Sequence, residues 1–505
     1  MSMAAAASIR KWALRSLIVI ALVCAASLLW VDYQLDRFAG AGTAVVDPDG
    51  FGATTGPTAI TNVHVLSGDG AEMLAGQTVV FDESGILAVG EAVDVPAGAR
   101  VVDGSGLYLI PGLVDAHVHL KQSPNDLLVY VAAGVTGVRE MSGSAEHLNW
   151  RDQINAGRLG PRMFVASEKL ENWDWLAGHF QRWTRNRINV HRPGDAAGIV
   201  KSLAEEGFDA VKLGSMLDAG TYREVDRAAS EAGMPLVGHL PVSMSLESLW
   251  ASGQGELAHI EEIAKALDAE FGYFGNSNGD EYLAFVRKRS DDVAARLVEN
   301  DIAVVSSLWL IESIATQKVA PAEVVATIEL RYANPGLVEG TPLSRGWLPG
   351  HNAYEVAPEA SDAERAAQKA YWTTFAAAHH ILLRAMRDRG VRLMAGTDAN
   401  TAGVVPGFSL HDELESLVDA GLSPAQALHA ATSVPARRMG HASGKIAPGL
   451  RADMVLLRAN PLQDIANTRS IQGVVLNGRH LDRPRLDAIL ASVEAANNQS
   501  RNIPL

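Results

Sequence analysis

Leu109-Ile110-Pro111-Gly112-Leu113-Val114-Asp115-Ala116-His117-Val118-His119 decides how the rest of the chain is read. An apolar run passes through Pro-Gly and closes on two imidazoles, two residues apart. Side chains alternate along a strand, so such residues share one face. Imidazole is a borderline ligand suited to zinc, iron, nickel or copper. Taken alone, two strand histidines are more often hydrogen-bonded core than ligands, so the reading depends on what the chain places beside them.

Downstream, short apolar runs alternate with helical segments. Eight candidate strands follow in order: Leu113–Leu120, Val135–Met141, Arg162–Ala166, Ala210–Leu213, Leu236–Leu240, Leu257–Ile260, Ala303–Leu308 and Arg392–Thr397. Strands alternating with helices imply a parallel sheet. Eight such units predict an α/β fold, a (β/α)8 TIM-type barrel with insertions, over 111–443. Ser361 with Glu364 reads as a capping box, and Ser423-Pro424 as a helix start. Asn334–Gly350, rich in Pro and Gly, reads as a loop over the barrel mouth.

Both flanks of the barrel carry hairpin grammar instead. Ala59–Leu66, Gln77–Phe81 and Ile86–Val89 precede it. Asp453–Leu457 and Ile471–Leu476 follow it, the latter ending in the turn signal Asn477-Gly478. Segments 58–110 and 444–482 are therefore expected to form one small β-sandwich domain. Residues 38–57 read as a linker, and 483–505 as a C-terminal helix and tail.

The composition suits a globular chain: 505 residues, 48% hydrophobic and 20% charged. With 43 Lys+Arg against 58 Asp+Glu and no basic block, nucleic acid is excluded as a partner. The single cysteine, Cys24, excludes a disulfide framework and a cysteine metal cluster. Arg10, Lys11 and Arg15 precede an uncharged stretch, Ser16–Val31, that ends at Asp32. Basic then apolar is the order of an export signal. Residues 1–37 thus read as a signal anchor, or as a signal peptide cleaved near Ala25-Ala26-Ser27. Either exports the barrel toward the periplasm or the outside. An uncleaved segment tethers it to the membrane.

Four further strand ends carry chemistry. His239 ends the fifth candidate strand, His259 the sixth and Asp398 the eighth. In this fold those ends converge on one site. Lys212, in the fourth, stands in an apolar run, where a lysine pKa falls readily. Neutral amine adds carbon dioxide to give a carbamate able to bridge two cations.

These residues give the chain its resemblance. It is similar to the metal-dependent amidohydrolase superfamily, most nearly the branch of imidazolonepropionase and the prolidase-like dipeptidases, over roughly 57–480. Gly134-Val135-Thr136-Gly137-Val138-Arg139 and Ala452-Asp453-Met454-Val455-Leu456 carry it together with the opening motif. The resemblance implies two divalent metal ions, zinc expected. His117, His119 and Asp398 would hold one, His239 and His259 the other, with carboxylated Lys212 between them. It also implies that Asp398 relays a proton and His239 stabilises the developing oxyanion. The deaminase branch has Glu three residues after its fifth-strand His, where this chain has Val242, and Lys212 departs from the one-metal ring-opening enzymes. The expected activity is hydrolysis of a small-molecule amide, such as a dipeptide or an N-acyl amino acid. A lactone or ester hydrolase, or a non-catalytic binding protein, is the alternative. Trp173, Trp175, His179, Trp309 and Tyr354 are candidate substrate contacts, with packing as the competing role. A homo-oligomer is compatible with the sequence.

Overall fold

Tyr108–Pro111 and Leu113–Val118 are consecutive strands with one residue between them, yet they belong to different sheets. The computed structural model describes residues 3–52 and 55–503. Met1 and Ser2 of the N-terminal segment, Ala53 and Thr54 of the expected linker, and Pro504 and Leu505 of the tail lie outside the described residues.

The eight barrel strands are Leu113–Val118, Val135–Glu140, Arg162–Val165, Val211–Leu213, Leu236–Gly238, Glu256–Leu257, Ala303–Val305 and Leu393–Met394. Strands one to three, four with five, and six to eight pair in parallel. Single parallel bridges join the other seams: Ala166 with Ala210, Leu236 with Gln254, and Val118 with Ala399. Two short additions, Leu170–Glu171 and Ile188–Asn189, extend the sheet beside strand four. The strands are shorter than the apolar runs suggested. His259 caps the helix Ile260–Phe271 rather than ending a strand, and Asp398 lies four residues past Met394.

The barrel interior is packed with Val114, Met141, Phe164, Val237 and Met439 in one cluster and Ala116, Val305 and Met394 in another. Within it lies a buried ion pair. Arg139 Nη1 and Nη2 donate to Glu256 Oε1 and Oε2, both at 2.8 Å, and the guanidinium stacks 4.6 Å from the Phe164 ring centroid. Removing one partner of a buried pair leaves an uncompensated charge. Arg139→Ala is therefore expected to cost ~3–5 kcal/mol in chemical unfolding, while Arg139→Met with Glu256→Leu recovers most of that loss.

The flanking strands form one mixed sheet of eight, with Met454–Leu457 pairing antiparallel to Tyr108–Pro111. The sheet curls on itself. Ile86 N donates to Leu450 O and Ile86 O accepts from Gly449 N, both at 2.8 Å, around a core that includes Ile60, Phe81, Leu109 and Met454. Asn477 and Gly478 both take positive φ, 53° and 74°, as a two-residue hairpin turn demands.

The N-terminal helix, Met3–Ala39, is the one helix among the described residues long and apolar enough to cross a membrane. Its last turns dock on the barrel. Arg37 pairs with Glu339 at 3.0 Å, and Gln122 donates to Asp36 at 3.2 Å through its side chain and to Ala39 O at 2.9 Å through its backbone. The following stretch, expected as a linker from its composition, is strapped down as well. Thr43 Oγ1 donates to Asn334, Val46 N to Asn125, and Ala44 N to Ser500. Partners 79 to 456 residues away supply what local composition cannot reveal.

Candidate metal centre

Six polar side chains converge at the C-terminal ends of the strands. One ligand atom each from His117, His119 and Asp398 lie within 4.8 Å of one another. Asp398 Oδ1 stands 3.1 Å from His119 Nε2 and 3.5 Å from His117 Nε2. Lys212 Nζ is 3.2 Å from His117 Nε2. The His259 ring lies 4.4 Å from that of His117 and 5.6 Å from that of His239, centroid to centroid.

Supporting residues fix these rings. Glu262 accepts from His239 Nδ1 and Ser307 Oγ meets His259 Nδ1, both at 2.8 Å. Glu140 stands 3.7 Å from His119 Nδ1 and accepts from the backbone of Leu120 and Ser142. Asp115 accepts from His117 N and Thr397. A carboxylate or hydroxyl behind the rings of His119, His239 and His259 selects tautomer and orientation, as metal-binding histidines require, while Asp115 holds His117 through its backbone. Several residues here adopt left-handed backbone: Lys121 (φ 51°), Ser307 (49°), Asp398 (58°) and Asn400 (70°).

The electrostatics favour ligand forms. Burial, with Lys212 next in weight, pushes the His117 pKa well below its ordinary value, and burial does the same to His239 and His259. Burial, then the charge of Lys169, pushes the Lys212 ammonium well down toward neutral amine. Burial opposes ionisation of Asp398, but the hydrogen bond and charge of His119 outweigh it and hold the carboxyl below the usual range. Nδ1 of His117 is buried without a hydrogen-bond partner among the described residues, and Oδ1 of Asp398 is crowded by two ring nitrogens instead of well-directed donors. A carboxylate oxygen gathered with imidazole nitrogens in a buried site is a donor set that fits a cation.

The aromatic candidates divide. Tyr354 hydrogen-bonds Thr401, three residues past Asp398; burial, then the Asp398 charge, pushes its hydroxyl above the ordinary value. Trp309 is the second residue of the helix after strand seven, with its indole N–H buried and unpartnered among the described residues. Trp173 is turned to Glu171, which accepts from Nε1 at 3.1 Å. Trp175 is 66% exposed and meets His179 edge-on at 4.8 Å, on the outer helix Trp175–Arg185. Sequence reading passed over Lys169, Glu140, Glu262 and Ser307. Glu262, three residues after His259, has a spacing visible in the sequence; the others depend on tertiary approach.

Behind the centre, Glu413 accepts from Leu308 N (3.0 Å), Trp309 N (2.8 Å) and Ser306 Oγ. Burial pushes its carboxyl up to about 7 against those bonds. A raised carboxyl pKa means that the folded state holds the proton more tightly. Its stabilisation is complete below the unfolded value of about 4.5 and is lost as pH rises through about 7. Glu413→Gln is thus expected to remove part of the fall in unfolding free energy between pH 5 and pH 8, on the order of 3 kcal/mol. Parallel urea titrations of both proteins check this. Equal slopes would refute the assignment.

A ring of parallel strands with imidazoles, a lysine and a carboxylate at its C-terminal ends is the architecture of metal-dependent hydrolases. The chain belongs to the amidohydrolase family, whose model it matches over residues 108–481. Divalent metals are general in that family. Adenine deaminase 2 of Rhizobium meliloti (strain 1021) is 27% identical over 428 residues, 83% of this chain and 56% of that protein. A dihydroorotase of Geobacter sulfurreducens is 25% identical over 190 residues, 37% of this chain and 38% of that protein. The chain thus spans little more than half of these relatives at most. In fold it is similar to bottromycin amidohydrolase (TM-score 0.65, 22% identity, 87% of this chain and 90% of that one). It is also similar to a Xaa-Pro dipeptidase with bound methionine in the active site (TM-score 0.60, 17% identity, 85% and 100%).

Proposed function

We infer that the chain hydrolyses the C–N bond of a small-molecule amide, a dipeptide or N-acyl amino acid, using two divalent cations, zinc the expected metal. The convergence of His117, His119, Lys212, His239, His259 and Asp398 carries this reading. His117, His119 and Asp398 would hold one ion and His239 and His259 the other. Lys212, as its carbamate, would join them. Divalent ions at such sites acidify water and polarise a carbonyl.

The chain's own residues do the rest. Asp398, ionised across the working range, accepts the proton of the attacking water as its oxygen bonds to the carbonyl carbon. The same carboxyl delivers that proton to the departing nitrogen as the C–N bond breaks, leaving acid and amine. His239, whose Nδ1 donates to Glu262, would turn Nε2 to the second ion and so keep positive charge beside the oxygen on which negative charge develops. Tyr354, whose hydroxyl feels the Asp398 charge, and Trp309, at the start of the helix after strand seven, are the substrate contacts this reading favours. Val242, where the deaminase branch carries Glu, favours amide cleavage over deamination.

Dipeptides, N-acyl amino acids and lactones assayed with metal-loaded protein test the reading. Amide turnover that chelation abolishes supports it. Turnover of lactones alone, or tight binding without turnover, would replace it with the ester-hydrolase or binding-protein reading.

The N-terminal helix is read as an uncleaved anchor. Lys11 and Arg15 stay on the cytoplasmic side and the barrel lies beyond the membrane. External protease that degrades the barrel in spheroplasts supports this.

A further inference from the structure

The outer helix Trp175–Arg185 follows strand three at the barrel mouth and has an unusual surface. Trp175, Leu176, Phe180 and Trp183 are 66, 71, 55 and 41% exposed. At 100° per residue they fall within a 140° arc. Gly178, the helix's buried residue, faces the opposite way, where a Cβ would lie 1.9 Å from the Asn189 side chain. The apolar arc therefore points away from the protein, and Arg182 borders it on one side. Aromatic and leucine side chains on one face with arginine at the border are the composition of helices that lie in a membrane interface.

The N-terminal helix identifies what covers this face. Trp183 Nε1 donates to Asp32 Oδ1 at 2.5 Å. Asp32 is the first charged residue after the apolar stretch, so the bond places Trp183 where that stretch leaves hydrocarbon for water. Exposed Trp30 and Tyr33 flank the same level, and aromatic rings gather at that depth. No flexible joint intervenes, because the helix runs unbroken from Met3 to Ala39. Six residues beyond Asp32, about 9 Å along the axis, Phe38 lies under Lys121 (4.8 Å to its ring centroid), two residues after His119. The orientation of the span therefore sets the orientation of the mouth.

We propose that Trp175–Arg185 is a membrane-surface helix, seated among lipid headgroups, that holds the barrel mouth against the bilayer. This rests on reading the N-terminal helix as a span. The occupant is a lipid surface rather than a second copy, because the apolar arc is tied through Trp183 to the point where the span leaves the bilayer and is bordered by Arg182.

The test uses the full chain with Cys24→Ser and an environment-sensitive fluorophore on Leu176→Cys. A control carries it on Leu87→Cys, an exposed site of the small sheet. The protein is reconstituted in phosphatidylethanolamine–phosphatidylglycerol vesicles containing lipids with a nitroxide just below the headgroup. A blue-shifted label at 176, quenched several-fold more than at 87, supports the proposal. Equal quenching at both sites in protein that floats with the vesicles overturns it and leaves the span reading intact. Protein that does not float overturns both. A blue shift that persists in detergent and grows with protein concentration, without lipid quenching, assigns the face to a second copy.

Discussion

Asp398→Asn loses ~10²–10⁴-fold in kcat as the expected result, because an amide cannot accept the proton that water must give up. The substitution keeps the size of the side chain and one oxygen. It removes the charge that balances the imidazoles of His119 and His117 at 3.1 and 3.5 Å. Some loss of metal accompanies it, so kcat is measured at saturating metal with occupancy determined by elemental analysis. The backbone of residue 398 is left-handed, a conformation that asparagine tolerates as well as aspartate does, so the fold survives. A variant that holds both metals and turns over normally would show that the proton travels by another route.

Lys212→Ala is expected to lose metal most completely at the His239–His259 side, where only two other side chains serve as ligands. Lys212 is fully buried beside His117. A free ammonium there would repel two dications. Neutral amine, favoured by burial, adds carbon dioxide with loss of a proton and gains an anionic pair of oxygens. Acetate or propionate added to the alanine variant should restore part of the activity by standing in for them. Lys212→Arg should not respond, since guanidinium stays charged and fills the space. Full occupancy of both metals in the alanine variant would exclude the bridge.

The eight barrel strands were legible because each is a short apolar run between turn residues, and that pattern needs no partner. Their ends were overextended where chain stayed apolar after leaving the sheet, as at Ala258–Ile260 and Ala395–Thr397. The six convergent side chains were legible through strand-end position and family resemblance together. What orients them was not. Glu262 is an ordinary acidic residue in a first helical turn until the fold brings His239 beside it, 23 residues away in sequence. Composition marked 38–57 as a linker, because a strap held by distant partners has the same Gly- and Thr-rich sequence as a free one. Trp175 and His179, read from the sequence as candidate substrate contacts, stand together on the outer helix, where Trp175 is exposed, a placement that only the fold reveals.

Ser307 holds its hydroxyl against His259 while its backbone sits at φ 49°, a conformation costing a serine ~1–2 kcal/mol. Glycine at that position would relieve the backbone and release the imidazole. A population of this gene selected for survival at high temperature would drift toward glycine at 307. One selected for turnover would hold serine there. Two pressures thus meet at a single codon, and the residue found in descendants would record which of them had governed the lineage.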